Sequence, residues 1–225
     1  MIDVAGEDEG AMGDNINIGD LELSNKGRDS TTATIIEIDL ASVADEMIKL
    51  PTYRIVERHS WIGIKHSVLY GQLKALADLW RIKHLVIDAT GVGIGLASFL
   101  AKTLGEKVIP YTFNTSTKSK LGWAFLGLIE SGRLKDYMDT ENNRLEFLEQ
   151  CQYCQMEIIE GPDRRMKWGV KDGTRASVDG RLVHDDWILS VALAAVLDEL
   201  DWSISGAPVI MKRMDPILEM DREGF

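Results

Sequence analysis

Apolar and polar positions alternate through the first third of the chain, then give way to a helical repeat. Thr31-Thr-Ala-Thr-Ile-Ile-Glu-Ile38 is rich in β-branched residues, and Tyr53-Arg-Ile-Val-Glu-Arg-His-Ser-Trp61 alternates; both predict strands. Residues 1–5, around Asp3, predict a shorter strand that begins abruptly and is expected to start in preceding sequence. Three strands without strong helices between them predict an antiparallel meander. Beyond it, Val68, Leu69, Leu73, Leu76, Ala77 and Trp80 recur at helical spacing. Leu85-Val-Ile87 reads as a fully apolar strand, 96–104 as a helix stopped by Gly105, 108–113 as a strand, and 119–130 as a helix followed by Gly132. Strand–helix–strand units of this kind build parallel sheet.

Near the end, 145–150 predicts a helix, and 155–160 and 165–170 flank Gly161-Pro162-Asp163 as a hairpin. Residues 186–200 predict the last helix, with Trp187, Val191, Ala194 and Ala195 on its buried face. The whole is an α/β arrangement with a sheet of mixed direction. At 225 residues the chain is expected to form a single domain, 1–225, with a Gly- and acid-rich loop over 6–27 and an irregular tail over 203–225. A structureless loop of that length is unusual and reads as an insertion or a functional element.

Charge complicates the picture. The net charge of -11 argues against nucleic-acid binding by bulk charge, but residues 1–50 hold 12 acidic and 3 basic residues and so carry most of the imbalance. The stretch 161–181 holds six basic residues against three acidic ones, which is either a local basic surface or an ordinary solvated hairpin. There is no apolar run long enough to span a membrane and no signal-peptide pattern, so a cytoplasmic setting without membrane contact is expected. Cys151 and Cys154 form one C-x-x-C without a second pair to complete a zinc site, and reduced, partly buried thiols are expected.

The chemistry resides in the acids. Asp3 lies inside an apolar strand, Asp88 ends a buried one, and His184-Asp185-Asp186 opens the last helix. Carboxylates in apolar elements are costly unless a cation sits among them. In open α/β sheets, sites form beyond the carboxyl ends of strands, and the Asp3 and Asp88 strands can be neighbours there. Asp3, Asp88, Asp185 and Asp186 are therefore candidate ligands for two Mg²⁺ or Mn²⁺ ions hydrolysing a phosphodiester. Two such carboxylates about 4 Å apart repel by about 4 kcal/mol at an effective dielectric of 20. Each acid also has a plainer explanation: a helix cap for Asp185 or Asp186, a turn for Asp88, a solvated chain end for Asp3. His184 is a candidate proton donor or acceptor, or else a structural residue at the helix start. Lys118, Lys120, Arg164, Arg165 and Lys167 are candidate DNA-binding residues.

Ile2-Asp3-Val4-Ala5, Gly27-Arg28-Asp29-Ser30-Thr31-Thr32, Ile87-Asp88-Ala89-Thr90-Gly91-Val92-Gly93 and the segment from His184 to Ala194 resemble the nuclease domain of phage large terminase subunits. The resemblance runs from Asp3 to about residue 196. It implies an RNase H-like fold, here a mixed five-stranded sheet flanked by helices with an added β-hairpin. It implies a Mg²⁺- or Mn²⁺-dependent endonuclease that cuts double-stranded DNA concatemers during genome packaging in the host cytoplasm. It places catalytic acids at Asp3, Asp88 and Asp186, with Asp185 an added ligand or an orienting group. It also implies a terminase ATPase domain, a portal and a small terminase subunit as partners. Two departures stand out: residues 6–26 interrupt the family's early motifs, and no Gly-x-x-x-x-Gly-Lys-Ser/Thr occurs, so the chain is expected to be an isolated nuclease half.

Other readings remain. A junction resolvase or transposase core would keep the fold and change the substrate. From another class, Asp88-Ala-Thr-Gly91-Val-Gly93-Ile-Gly95 also reads as a nucleotide or S-adenosylmethionine loop. That reading lacks the acid expected about 20 residues on, where Tyr111-Thr112-Phe113-Asn114 stands. It also leaves His184-Asp185-Asp186 without a role.

Overall fold

Ile2 and Asp3 form the central strand of the sheet although they open the chain. In the computed structural model, which describes residues 1–7, 30–138 and 142–202, the elements in chain order are β1 (Ile2–Asp3), β2 (Ser30–Asp39), β3 (Thr52–Ile62), α1 (His66–Leu79), β4 (Leu85–Asp88), α2 (Gly93–Leu104), β5 (Val108–Tyr111), α3 (Thr115–Glu130), β6 (Leu134–Lys135), α4 (Asn142–Tyr153), β7 (Gln155–Ile158), β8 (Met166–Gly169) and α5 (Asp186–Ala192). Most of the acidic loop expected over 6–27, the Gly27-Arg28-Asp29 segment and the tail over 203–225 lie outside the described residues. Among those described, no helix is long and apolar enough to cross a membrane.

The main sheet has six strands in the order β5-β4-β1-β2-β3-β6. β1–β2 and β2–β3 pair antiparallel, as the meander predicts, while β4 runs parallel to both β1 and β5. The fold is the expected RNase H-like α/β class with one strand more than expected. That strand, β6, pairs only Tyr53 with Leu134 and Arg54 with Lys135. Its two residues are too few for any periodicity to announce. They reach β3 because Gly132 turns the chain at φ 66° and Arg133 is anchored by Pro51 O and Asp198.

Alternation along the strands sorts side chains onto two faces. Ile2, Val4, Ala33, Leu85 and Ile87 pack with Leu69 and Leu73 of α1 and Leu96 and Leu100 of α2. Val86, Tyr53 and Ile55 join Leu121, Phe125, Phe147, Trp187 and Val191 on the other face. Asp3 therefore shares its face with Val86 and α5, as does Asp88. α5 is sunk into that second core, with Trp187 and Val191 both 0% exposed. Truncating Trp187 would cost roughly 3–5 kcal/mol.

The last helix departs from expectation. Only Asp186–Ala192 is α-helical, and Leu193–Glu199 continues as a 3₁₀ helix. The buried residues foreseen at 187, 191, 194 and 195 are nonetheless all buried. The small two-stranded sheet β7–β8 is the expected hairpin. It docks through β8: Met166 N donates to Ser119 Oγ at 2.8 Å and Trp168 Nε1 to Lys118 O at 2.7 Å, both on α3. Trp168 lies against Gly122, where any Cβ would collide with its ring.

Candidate functional site

Four chain segments meet at one end of the sheet. β1 and β4 are parallel with Ile2 opposite Ile87, so the next residues, Asp3 and Asp88, stand side by side at the carboxyl ends of adjacent strands. β2 starts there because it runs the other way, with Asp3 opposite Thr32. α5 brings its first turn to the same place. Ser30, Thr32 and Thr34 alternate toward α5 and meet it at residues one helical turn apart. Ser30 N and Oγ both donate to Asp186 Oδ2, at 2.7 and 2.8 Å. Thr32 Oγ1 donates to Asp186 O at 3.0 Å, and Thr34 Oγ1 shares a 2.9 Å hydrogen bond with Ser190 Oγ.

Asp3, Asp88 and Asp186 are all buried. Burial pushes the Asp3 carboxyl well above the ordinary carboxylate range, and the charges of Asp186, Asp88 and Asp185 push it further, against a smaller pull from Lys118. The geometry agrees: Asp3, Asp185 and Asp186 line one cleft, and Asp88 stands beside Asp3 across the β1–β4 pair. Burial also raises Asp88, opposed by hydrogen bonds from Thr90, whose N donates to Asp88 Oδ1 at 2.8 Å. The turn role considered for Asp88 is thus real and coexists with its place in the cluster. The solvated chain-end explanation for Asp3 does not survive its burial.

Asp185 occupies the N-cap position of α5, yet its side chain makes no capping hydrogen bond. It turns to Lys118, Nζ to Oδ2 3.3 Å. The cap comes from α4 instead: Gln150 Oε1 accepts from Trp187 N at 2.9 Å and Ile188 N at 3.3 Å. Asp185 is thereby released from the capping role that the sequence alone left open. His184 is half-buried and lines a cleft of about 400 Å³ with Asp3, Asp185, Asp186 and Lys171.

The donors are all carboxylate oxygens, which suits Mg²⁺ or Mn²⁺. Among the described residues no three acid, His or Cys side chains close into a ready cage. Mg²⁺ is usually held by one or two carboxylates, with waters and substrate phosphate completing its shell. The donor chemistry therefore fits such an ion in the company of substrate.

The candidate DNA contacts divide. Lys118 and Lys167 line a second cleft of about 850 Å³ between α3 and the hairpin, joined by Lys171, which lines both clefts. Arg164 and Arg165 are exposed but line neither, and Arg165 pairs with Asp163 at 3.1 Å. Lys120 pairs with Glu199 at 2.7 Å and also lines neither. Ser30, Gln150 and Lys171 were not singled out from sequence. Ser30 adjoins the motif at 27–32 and Lys171 falls within the basic stretch, whereas nothing local marks Gln150. Cys151 and Cys154 are free thiols; Cys154 is partly buried as expected, which raises its thiol, whereas Cys151 is exposed. In the glycine loop, a Cβ at Gly93 would collide with Asp88 O, so this glycine lets α2 pack against the strand end.

A family model described as the terminase RNaseH-like domain matches residues 26–153. A protein of Haemophilus phage HP1 (strain HP1c1), named "Probable terminase, ATPase subunit", is 25% identical over 83 residues, covering 37% of this chain and 14% of that protein. The large terminase nuclease from thermophilic phage G20c is similar at TM-score 0.49 and 20% identity over 75% of this chain and 83% of that one. Its structure with bound magnesium gives TM-score 0.47 and 21% identity over 73% and 81%.

Proposed function

We propose that this chain, which belongs to the terminase RNaseH-like domain family, is a metal-dependent endonuclease that cuts double-stranded DNA concatemers during viral genome packaging. The observation that carries this reading is the meeting of Asp3, Asp88 and Asp186 at the joined ends of β1, β4 and α5. Two bound Mg²⁺ or Mn²⁺ ions would supply Lewis-acid stabilisation of the phosphodiester and a water acidic enough to attack it.

The chain's own groups set the stage for that chemistry. Asp3 and Asp88 present carboxylates from a rigid sheet, and Ser30 fixes the orientation of Asp186 through two donors to one oxygen. His184 lines the cleft, and in this reading it would exchange a proton with the attacking water or the departing oxygen. Lys118, Lys167 and Lys171 bring positive charge beside the acids, so that a phosphate backbone meets lysine first and carboxylate only at the site.

The match to the phage HP1 protein covers 14% of its length, and an ATPase region, a portal and a small terminase subunit enter here as proposed partners in the host cytoplasm. The test is cleavage of supercoiled plasmid and linear duplex with Mg²⁺ or Mn²⁺, with Asp88→Asn as the control. Metal-dependent cutting lost in that variant supports the reading. Strong preference for branched over linear duplex would move the assignment to a junction resolvase. No cutting by the wild-type chain with either ion would sink it.

A further inference from the structure

We propose that Lys118 is a positioning residue that holds Asp185 away from metal ligation and competes with a divalent cation for it. The inference rests on the metal-dependent reading above and extends it to a residue outside the acidic set.

The arrangement is specific. Lys118 stands in the first turn of α3, and its Nζ lies 3.3 Å from Asp185 Oδ2, with about a third of the lysine side chain exposed. The ammonium also lies 5.7 Å from the Trp168 ring centroid, and Trp168 Nε1 donates to Lys118 O. The hairpin therefore grips both ends of this lysine. Gly169, next in β8, has φ 130°, and a Cβ there would collide with Asp185 Oδ2 and come within 3.5 Å of Lys118 Nζ. Only a glycine leaves a slot in which carboxylate and ammonium meet against the strand. The pull that Lys118 exerts on Asp3 shows that its charge reaches the centre of the cluster. The lysine thus stands where a second cation would balance Asp185, and the two cannot both be neutralised by one carboxylate oxygen at no cost.

Two consequences follow. One divalent ion, near Asp3, Asp88 and Asp186, binds without disturbing the pair. A second, drawing on Asp185, must displace Lys118, whose ammonium is then released toward the lysine-lined cleft beside the hairpin.

The experiment is a Mn²⁺ titration followed by electron paramagnetic resonance on the DNA-free protein, comparing wild type with Lys118→Met, Lys118→Arg and Lys120→Met. Methionine keeps the alkyl stem over Trp168 and removes the charge. Lys118→Met is expected to bind its weaker Mn²⁺ about fivefold tighter, the factor matching a partly exposed ion pair. Lys118→Arg restores the wild-type value, and Lys120→Met, which breaks an exposed surface pair, leaves it unchanged. Unchanged or weaker Mn²⁺ binding in Lys118→Met overturns the competition while leaving the acidic site intact. If neither wild type nor Lys118→Met binds Mn²⁺, the metal reading itself fails, and this inference with it.

Discussion

Gln150 caps Trp187: its Oε1 accepts the Trp187 backbone N–H at 2.9 Å and that of Ile188 at 3.3 Å, across from one helix to the next. Helix starts normally find their cap in the residue just before them. Here that residue is Asp185, and a borrowed amide does its work. The exchange leaves Asp185 paired with Lys118 and Asp186 Oδ2 held by Ser30 at a helix N-terminus, where the helix dipole favours negative charge.

Replacing Gln150 with leucine should therefore strand two buried N–H groups. The expected loss is about 1–3 kcal/mol, read as a melting temperature lowered by about 2–4 °C per kcal/mol for a chain of this size. Thermal melting by circular dichroism checks it. A Gln150→Leu variant that melts with the wild type would mean that water or Asp185 takes over the cap.

The acids invite a different outcome. Asp3 is a buried carboxylate whose charge is opposed by burial and by three neighbouring acids. Asp3→Asn should raise the metal-free melting temperature by several degrees and abolish stabilisation by Mg²⁺ or Mn²⁺. Asp186→Asn should gain less, because Asp186 Oδ2 already receives two hydrogen bonds from Ser30 that favour its charged form. Calorimetry with and without the ions decides it; a metal-free Asp3→Asn protein less stable than wild type would show that repulsion is not what strains the site.

How much of this was legible before the structure depends on the range over which each feature is set. The apolar runs around Ile2, Ile87 and Val191 marked strands and a helix correctly, because burial writes itself into local periodicity. Even the face of Asp3 follows from alternation once Ile2 and Val4 are known to face α1 and α2. The partners of the acids did not follow. Whether Asp185 caps, ligates or pairs depends on Gln150 and Lys118, which lie 35 and 67 residues away. Likewise the basic stretch was visible as composition, but only the strand register shows that Lys167 and Lys171 face clefts while Arg164 and Arg165 sit by the hairpin turn.

Proton linkage gives a signed test of the same cluster. The raised Asp3 carboxyl holds its proton more tightly when folded than its ordinary value of 3.8 would allow. Its contribution favours folding at low pH and is lost as pH rises from 3.8 through the raised folded value. The stability of wild type minus that of Asp3→Asn should therefore fall with rising pH across that window and then level off. Urea titrations between pH 4 and pH 8, as roughly spaced points around the carboxyl range, provide the measurement. A difference that rises with pH would contradict a carboxyl raised by burial at Asp3.

The last expectation concerns the substrate. Lys167 is exposed on β8 between the buried Met166 and Trp168, and Lys171 follows the strand into both clefts. If duplex DNA runs through those clefts, each lysine neutralises a phosphate and releases its counterion. Lys167→Glu with Lys171→Glu should weaken duplex binding and flatten the plot of log affinity against log salt by about 1.8, from a slope of roughly 0.9 per phosphate contact. Arg164→Glu with Arg165→Glu makes the same change in net charge beside the hairpin turn, outside both clefts, and should shift the slope far less. Fluorescence anisotropy with the catalytically disabled Asp88→Asn background, at several salt concentrations, separates the two. Equal effects from both pairs would mean that DNA senses only the bulk charge of the hairpin, and the path through the clefts would have to be abandoned.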